Sequence, residues 1–88
     1  MISVESIDNN SFKVSVTKDL TTQHFVSLND TYHQSLSRNK LTKIELIIKS
    51  FEFLLERESN QSILKKFNIE VISQYFPEYI DEIKKIIL

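Results

Sequence analysis

His24 and His33 are the only side chains of this 88-residue chain whose ordinary pKa lies near neutrality. Their spacing forms neither H-x-x-x-H nor H-E-x-x-H, so a zinc site would need carboxylates from elsewhere, such as Asp30. A polar strand residue and a helix-surface residue are the simpler roles, and no metal site is expected. Eleven serines are present, none in a context that implies activation; a nucleophilic Ser needs a base and an orienting group converging on it. Glu52/Glu56 and Glu56/Glu58 fall on the polar side of an expected helix, which reads as solvated surface rather than acid–base machinery. Arg38, Lys40 and Lys43 surround the expected start of that helix, where free N–H groups and the dipole favour an anion. A phosphate contact is sound there, but a solvated loop is the favoured reading. Lys65-Lys66 and Lys84-Lys85 read as surface.

Composition removes other chemistries. With no Cys there is no disulfide, thiolate metal site or cysteine nucleophile. With no Gly there is no phosphate-cradling Walker loop, dinucleotide fingerprint or nucleophile elbow. No catalytic residue and no cofactor is expected. Eleven basic and twelve acidic residues give a net charge of −1, without the basic excess usual in nucleic-acid binders. A local patch or a dimer supplies a field in other ways. No apolar run approaches a membrane span, and MISVESIDNN lacks the basic and apolar regions of a secretory signal. The expected compartment is the cytoplasm. The Ile-, Lys- and Asn-rich composition fits translation of an AT-rich genome.

The elements follow from periodicity. Phe12-Lys13-Val14-Ser15-Val16-Thr17 alternates apolar and polar residues, the period of a half-buried strand. Ile2 and Val4 begin a similar run, with Asp8-Asn9-Asn10 between; Asn tolerates positive φ and suits a hairpin turn in a chain without Gly. A third run, Gln23 to Leu28, places His24, Val26 and Leu28 on one face and Gln23, Phe25 and Ser27 on the other. Asn29 or Asp30 then caps a short helix through Ser37. Residues 42–58 form the strongest helix: Thr42-x-x-Glu45 is a capping box, and Leu41 with Leu46 form a hydrophobic staple. Leu41, Ile44, Ile47, Ile48, Phe51, Leu54 and Leu55 make one apolar face, with Glu45 and Lys49 paired at i,i+4. Short helical pieces follow, capped at Ser59 or Asn60 and at Asn68. In the last helix Pro77, Glu78, Asp81 and Glu82 stand early and Lys84 and Lys85 late, matching the dipole.

Phe53 breaks this pattern, lying nearly opposite Ile44, Ile48 and Phe51 on the wheel. Either the tail helices cover it or another chain does. A small residue beside a large one, Ser50 beside Phe53, suits close approach of a partner helix. Leu46, Ser50, Phe53 and Arg57 are therefore the expected seam of a homodimer. Tyr75, Phe76 and Tyr79 around Pro77 read as an aromatic corner seating the last helix.

Two resemblances are carried by particular residues. Ser50–Glu58 (SFEFLLERE), Ser62-Ile63-Leu64, Phe67, Val71-Ile72 and Tyr75–Tyr79 (YFPEY) resemble a group of small bacterial proteins without an assigned function, over residues 12–83. That resemblance implies no activity. Residues 23–58 (a strand, an Asn29-Asp30 cap, a short helix, and a helix opening at Thr42) are similar to the ribbon-helix-helix DNA-binding proteins. That second resemblance implies two chains pairing strand 23–28 as a ribbon in the major groove. Gln23, Phe25 and Ser27 would then face the bases, and Thr42 and Lys43, with Arg38 and Lys40 nearby, the phosphates. The first helix is short for that fold, and two strands precede the third, where pairing needs a free edge.

The expected fold is α+β, one domain over 1–88: an antiparallel sheet of two to three strands in residues 1–28, packed on four to five helices in residues 29–88. The expected function is a non-enzymatic interaction module that binds itself or another protein, with no membrane association. The alternative is a ribbon-helix-helix-like transcriptional regulator or antitoxin-like protein.

Overall fold

Alternation along the N-terminal third becomes a sheet in the computed structural model, which describes residues 1–87. Strands β1 (Ile2–Ser6), β2 (Ser11–Thr17) and β3 (Thr21–Ser27) pair as an antiparallel meander, with Val4 opposite Val14 and Val14 opposite His24. Phe12, Val14, Val16, His24 and Val26 point inward and are buried. A fourth strand, β4 (Lys66–Asn68), joins β3 in parallel and completes the order β1-β2-β3-β4. The fold class is α+β, as expected, but the sheet is mixed and its last strand comes from the region read as helical. A division at residue 28 therefore does not describe the molecule.

Turn chemistry is redistributed as well. The Asp8–Asn10 turn needs no left-handed residue, because Asp8 Oδ1 accepts the Asn10 N–H at 2.9 Å. Among the described residues the two with positive φ are Arg38 (φ 51°) and Asn39 (φ 61°), which end helix α1 (Asp30–Ser37). In a chain without Gly these residues take the left-handed C-terminal role that Gly usually fills. Asn29 caps α1 by accepting the Tyr32 N–H at 2.7 Å.

Helix α2 (Lys43–Leu55) opens with the capping box: Glu45 N–H donates to Thr42 Oγ1 at 3.1 Å, and Thr42 N–H donates to Glu45 Oε1 at 2.8 Å. With Glu45 so engaged, Lys49 pairs instead with Glu52 at 3.3 Å. The helix is buried on two sides. Phe51 meets His24 and Phe67 beneath the sheet, with ring centroids 5.4 and 6.0 Å away. The opposite side receives α4 (Tyr79–Ile86) and Phe76, which follows α3 (Ile72–Tyr75). Ile44, expected on the core face, is exposed.

That second burial corrects the expected dimer seam. Leu46 and Ser50 are fully buried and Phe53 is 6% exposed, all covered by their own chain. The Phe53 ring lies 5.2 Å from Tyr79 and 5.9 Å from Phe76, centroid to centroid. Arg57 closes its outer side, with Cζ 3.6 Å from the Phe53 centroid, and is held by Glu78 at 3.1 Å. A helical wheel marks Phe53 as uncovered because it shows one helix at a time. The Pro77 corner folds the tail back over exactly that side.

Candidate functional site

The outer face of the sheet is where the alternating pattern puts its polar residues, and there the sheet carries one exception. Phe25, in the interior strand β3, is 45% exposed, and it is the one large exposed apolar side chain on a strand among the described residues. The register places Lys13 of β2 on one side of it and Lys66 of β4 on the other. Glu5 of β1 stands beyond Lys13, so Glu5, Lys13, Phe25 and Lys66 form one row across four strands. Neighbouring strands lie about 4.8 Å apart, which sets the two lysine backbones roughly 10 Å apart with the ring between them. Neither Lys13 nor Lys66 joins any of the ion pairs among the described residues.

Hydrogen-bonding rows flank this one. Ser11, Ser27 and Asn68 lie on one side of it, and Ser15 and Gln23 on the other. Ile7, from the β1–β2 turn, joins Ser11, Phe25, Ser27, Lys66 and Asn68 around a shallow open depression of about 480 Å³. The face thus combines an aromatic surface, two free cations and several neutral donors and acceptors.

Two buried polar side chains, one on β3 and one in the turn before β4, hold β4 in place. His24 is buried, with Nδ1 2.8 Å from the Leu64 carbonyl and Nε2 2.9 Å from Thr22 Oγ1. A carbonyl only accepts, so Nδ1 carries the proton, and Nε2 then accepts from the Thr22 hydroxyl in the neutral ring. Of the two residues expected to cap the next turn, Ser59 takes the N-cap position, while Asn60 is buried and donates through Nδ2 to the carbonyls of Val16 (3.3 Å) and Leu20 (2.9 Å). Between them they bring residues 60–65 to the sheet, where the Phe25 N–H donates to Lys65 O at 2.7 Å. His33 has a similar structural task, its Nε2 donating to the Leu41 carbonyl.

The residues expected to contact nucleic acid divide into two groups. Gln23, Phe25 and Ser27 do share the outer face. Arg38, Lys40 and Thr42 lie in the α1–α2 connection and Lys43 opens α2. Thr42 is taken up by the capping box. Lys43 is paired with Asp30 at 2.6 Å and donates to Asn9 O and Asn10 Oδ1 at 2.8 and 2.9 Å. The bond from Lys43 holds the Asp30 carboxyl below its ordinary value. Arg38 and Lys40 are exposed. The ribbon expected from the second resemblance has no edge to form on, because β3 is paired with β2 and with β4. No family model, curated protein or solved structure matches this chain. Lys66, expected as plain surface, is brought beside Phe25 by the β3–β4 pairing, and Lys13, expected only as a polar residue of its alternating strand, by the β2–β3 register.

A second surface feature is an apolar groove lined by Leu54, Ile63, Leu64, Phe67, Ile72 and Tyr75. Glu58 is its one charged neighbour, and it lacks the converging polar groups that orient a ligand. Among the described residues no helix is long and apolar enough to cross a membrane.

Proposed function

We propose that this chain is a non-enzymatic binding module acting through the outer face of its sheet, with Phe25 at the centre. The single observation that carries the reading is the exposed Phe25 ring between two lysines that join no ion pair among the described residues, on a face whose other strand residues are polar. An aromatic side chain left in water on an interior strand adds little to the core and forgoes the burial that Phe usually gains. Its value lies in what it meets. The inner face does the folding, so the outer face is free to be specified by a ligand. The binding unit in this reading is a single copy, because the residues that suggested a seam are occupied by the chain's own tail.

The test is site-directed photo-crosslinking in the cells that make the protein, with benzoylphenylalanine at position 25, 20 or 75. Leu20 and Tyr75 are both well exposed and lie outside the proposed face. Adducts are expected at position 25 and not at the other two. Adducts at position 75 alone, or at none of the three, overturn the reading.

A further inference from the structure

We infer that the ligand of this face is single-stranded nucleic acid, an inference that rests on the binding reading above. Three features point the same way. The exposed Phe25 ring offers a flat apolar surface on which an unpaired base stacks, a contact that tolerates any base. Lys13 and Lys66 flank the ring and join no ion pair among the described residues, although Glu5 stands opposite Lys13, so a strand crossing the sheet from Lys66 to Lys13 meets a cation before and after the stacked base. Ser11, Ser15, Gln23 and Ser27, on either side of the row, supply donors and acceptors to the exposed base edges, and Asn68 adds its Nδ2, its Oδ1 being engaged by the Glu70 N–H.

The same charges select against the alternatives. Two copies stacked face to face about Phe25 would bring Lys13 and Lys66 against their own counterparts, a like-charge arrangement that disfavours self-pairing. A duplex hides its base faces and leaves the ring without a partner. Glu5, at the far end of the row, and the net charge of −1 limit long-range attraction to a strand. Affinity therefore depends on the ring and its two lysines rather than on a general basic field.

The experiment is fluorescence anisotropy with labelled oligothymidylate and oligouridylate of about ten nucleotides, within the usual site size of one such surface. The matching duplex and polyglutamate serve as comparison probes. Binding of a single strand is expected, with the duplex and polyglutamate at least about tenfold weaker. Phe25→Ala is expected to weaken binding by about fivefold or more, the range for loss of one stacked base. Lys13→Gln and Lys66→Gln together should flatten the salt dependence, whose starting logarithmic slope is about −1.4 for two phosphates. Circular dichroism of each variant checks that the fold is retained. Equal affinity for polyglutamate, no effect of Phe25→Ala in a folded variant, or no binding of either oligonucleotide overturns the inference. Position-25 crosslinks that resist nuclease and yield to protease overturn it too, while leaving the binding-module reading intact.

Discussion

Ser50 Oγ and Tyr79 Oη lie 2.6 Å apart with neither residue exposed, and this one bond joins the middle of α2 to the first residue of α4. The Ser50 hydroxyl donates to the Leu46 carbonyl at 2.7 Å, so the Tyr79 hydroxyl donates to Ser50. Tyr79→Phe removes the donor and should cost about 0.5–1.5 kcal/mol. Ser50→Ala leaves a buried phenol unpaired and should cost more, about 1–3 kcal/mol. The double variant should cost less than the sum of the two, since both halves of one bond are then gone. Urea titrations of the four proteins close the cycle, and strict additivity would mean the bond contributes nothing.

The same phenol sets an alkaline limit. Burial pushes the Tyr79 hydroxyl well above its ordinary value of 10.0. For an acid raised on folding, the neutral form belongs to the native state. Its contribution is complete below pH 10.0 and is lost as pH rises above that towards the folded value. Wild-type stability should decline above about pH 10. Tyr79→Phe should show a shallower decline, and an equal slope in the two proteins would assign the alkaline loss elsewhere.

Phe53 is the second anchor of the tail. Truncation to Ala should cost about 3–5 kcal/mol, the usual range for a buried Phe. Phe53→Asp removes the ring from between Phe76 and Tyr79 and sets a carboxylate, with Arg57 as its neighbouring cation, against those apolar side chains, and should prevent folding. Circular dichroism and light scattering check this together: loss of helical signal is expected, and a folded variant of unchanged stability would restore Phe53 to a surface role.

How the sequence could be read up to this point, and where it could not, follows one physical rule. The capping box, the alternation of β2 and the inward set of β3 are local patterns, and each appears in the structure as spaced in the chain. The cover of Phe53 and the strand β4 are long-range. Lys66–Asn68 is three residues long, pairs in parallel, and owes its place to His24 and Asn60 some 40 residues earlier or within the preceding loop. No periodicity within three residues announces a strand. The candidate site shares this split: Gln23, Phe25 and Ser27 were visible as one outward face, whereas the Lys13–Phe25–Lys66 row exists only once β4 has docked.

Acid should destabilise the domain through its turns and caps. Asp8 is lowered by the Asn10 N–H, Asp30 by Lys43, Glu45 by the Thr42 N–H, and Glu78 by its own backbone N–H and then Arg57. A carboxyl lowered on folding contributes fully above its ordinary value, 3.8 for Asp and 4.5 for Glu, and that contribution disappears as pH falls through the lower folded value. The urea midpoint should therefore hold near neutrality and fall below about pH 4.5. Glu45→Gln keeps an acceptor for Thr42 but no longer titrates, so its acid decline should be shallower. Parallel declines would remove the capping box from the acid response.

The outer sheet face is tested most directly by an amide chemical-shift map of the isotope-labelled chain during titration with oligothymidylate of about ten nucleotides. The largest shifts are expected at Lys13, Gln23, Phe25, Ser27 and Lys66, with Leu64 and Tyr75 unmoved. Shifts centred on the Leu64–Tyr75 groove, or a spectrum unchanged at millimolar oligonucleotide, would contradict the assignment of that face.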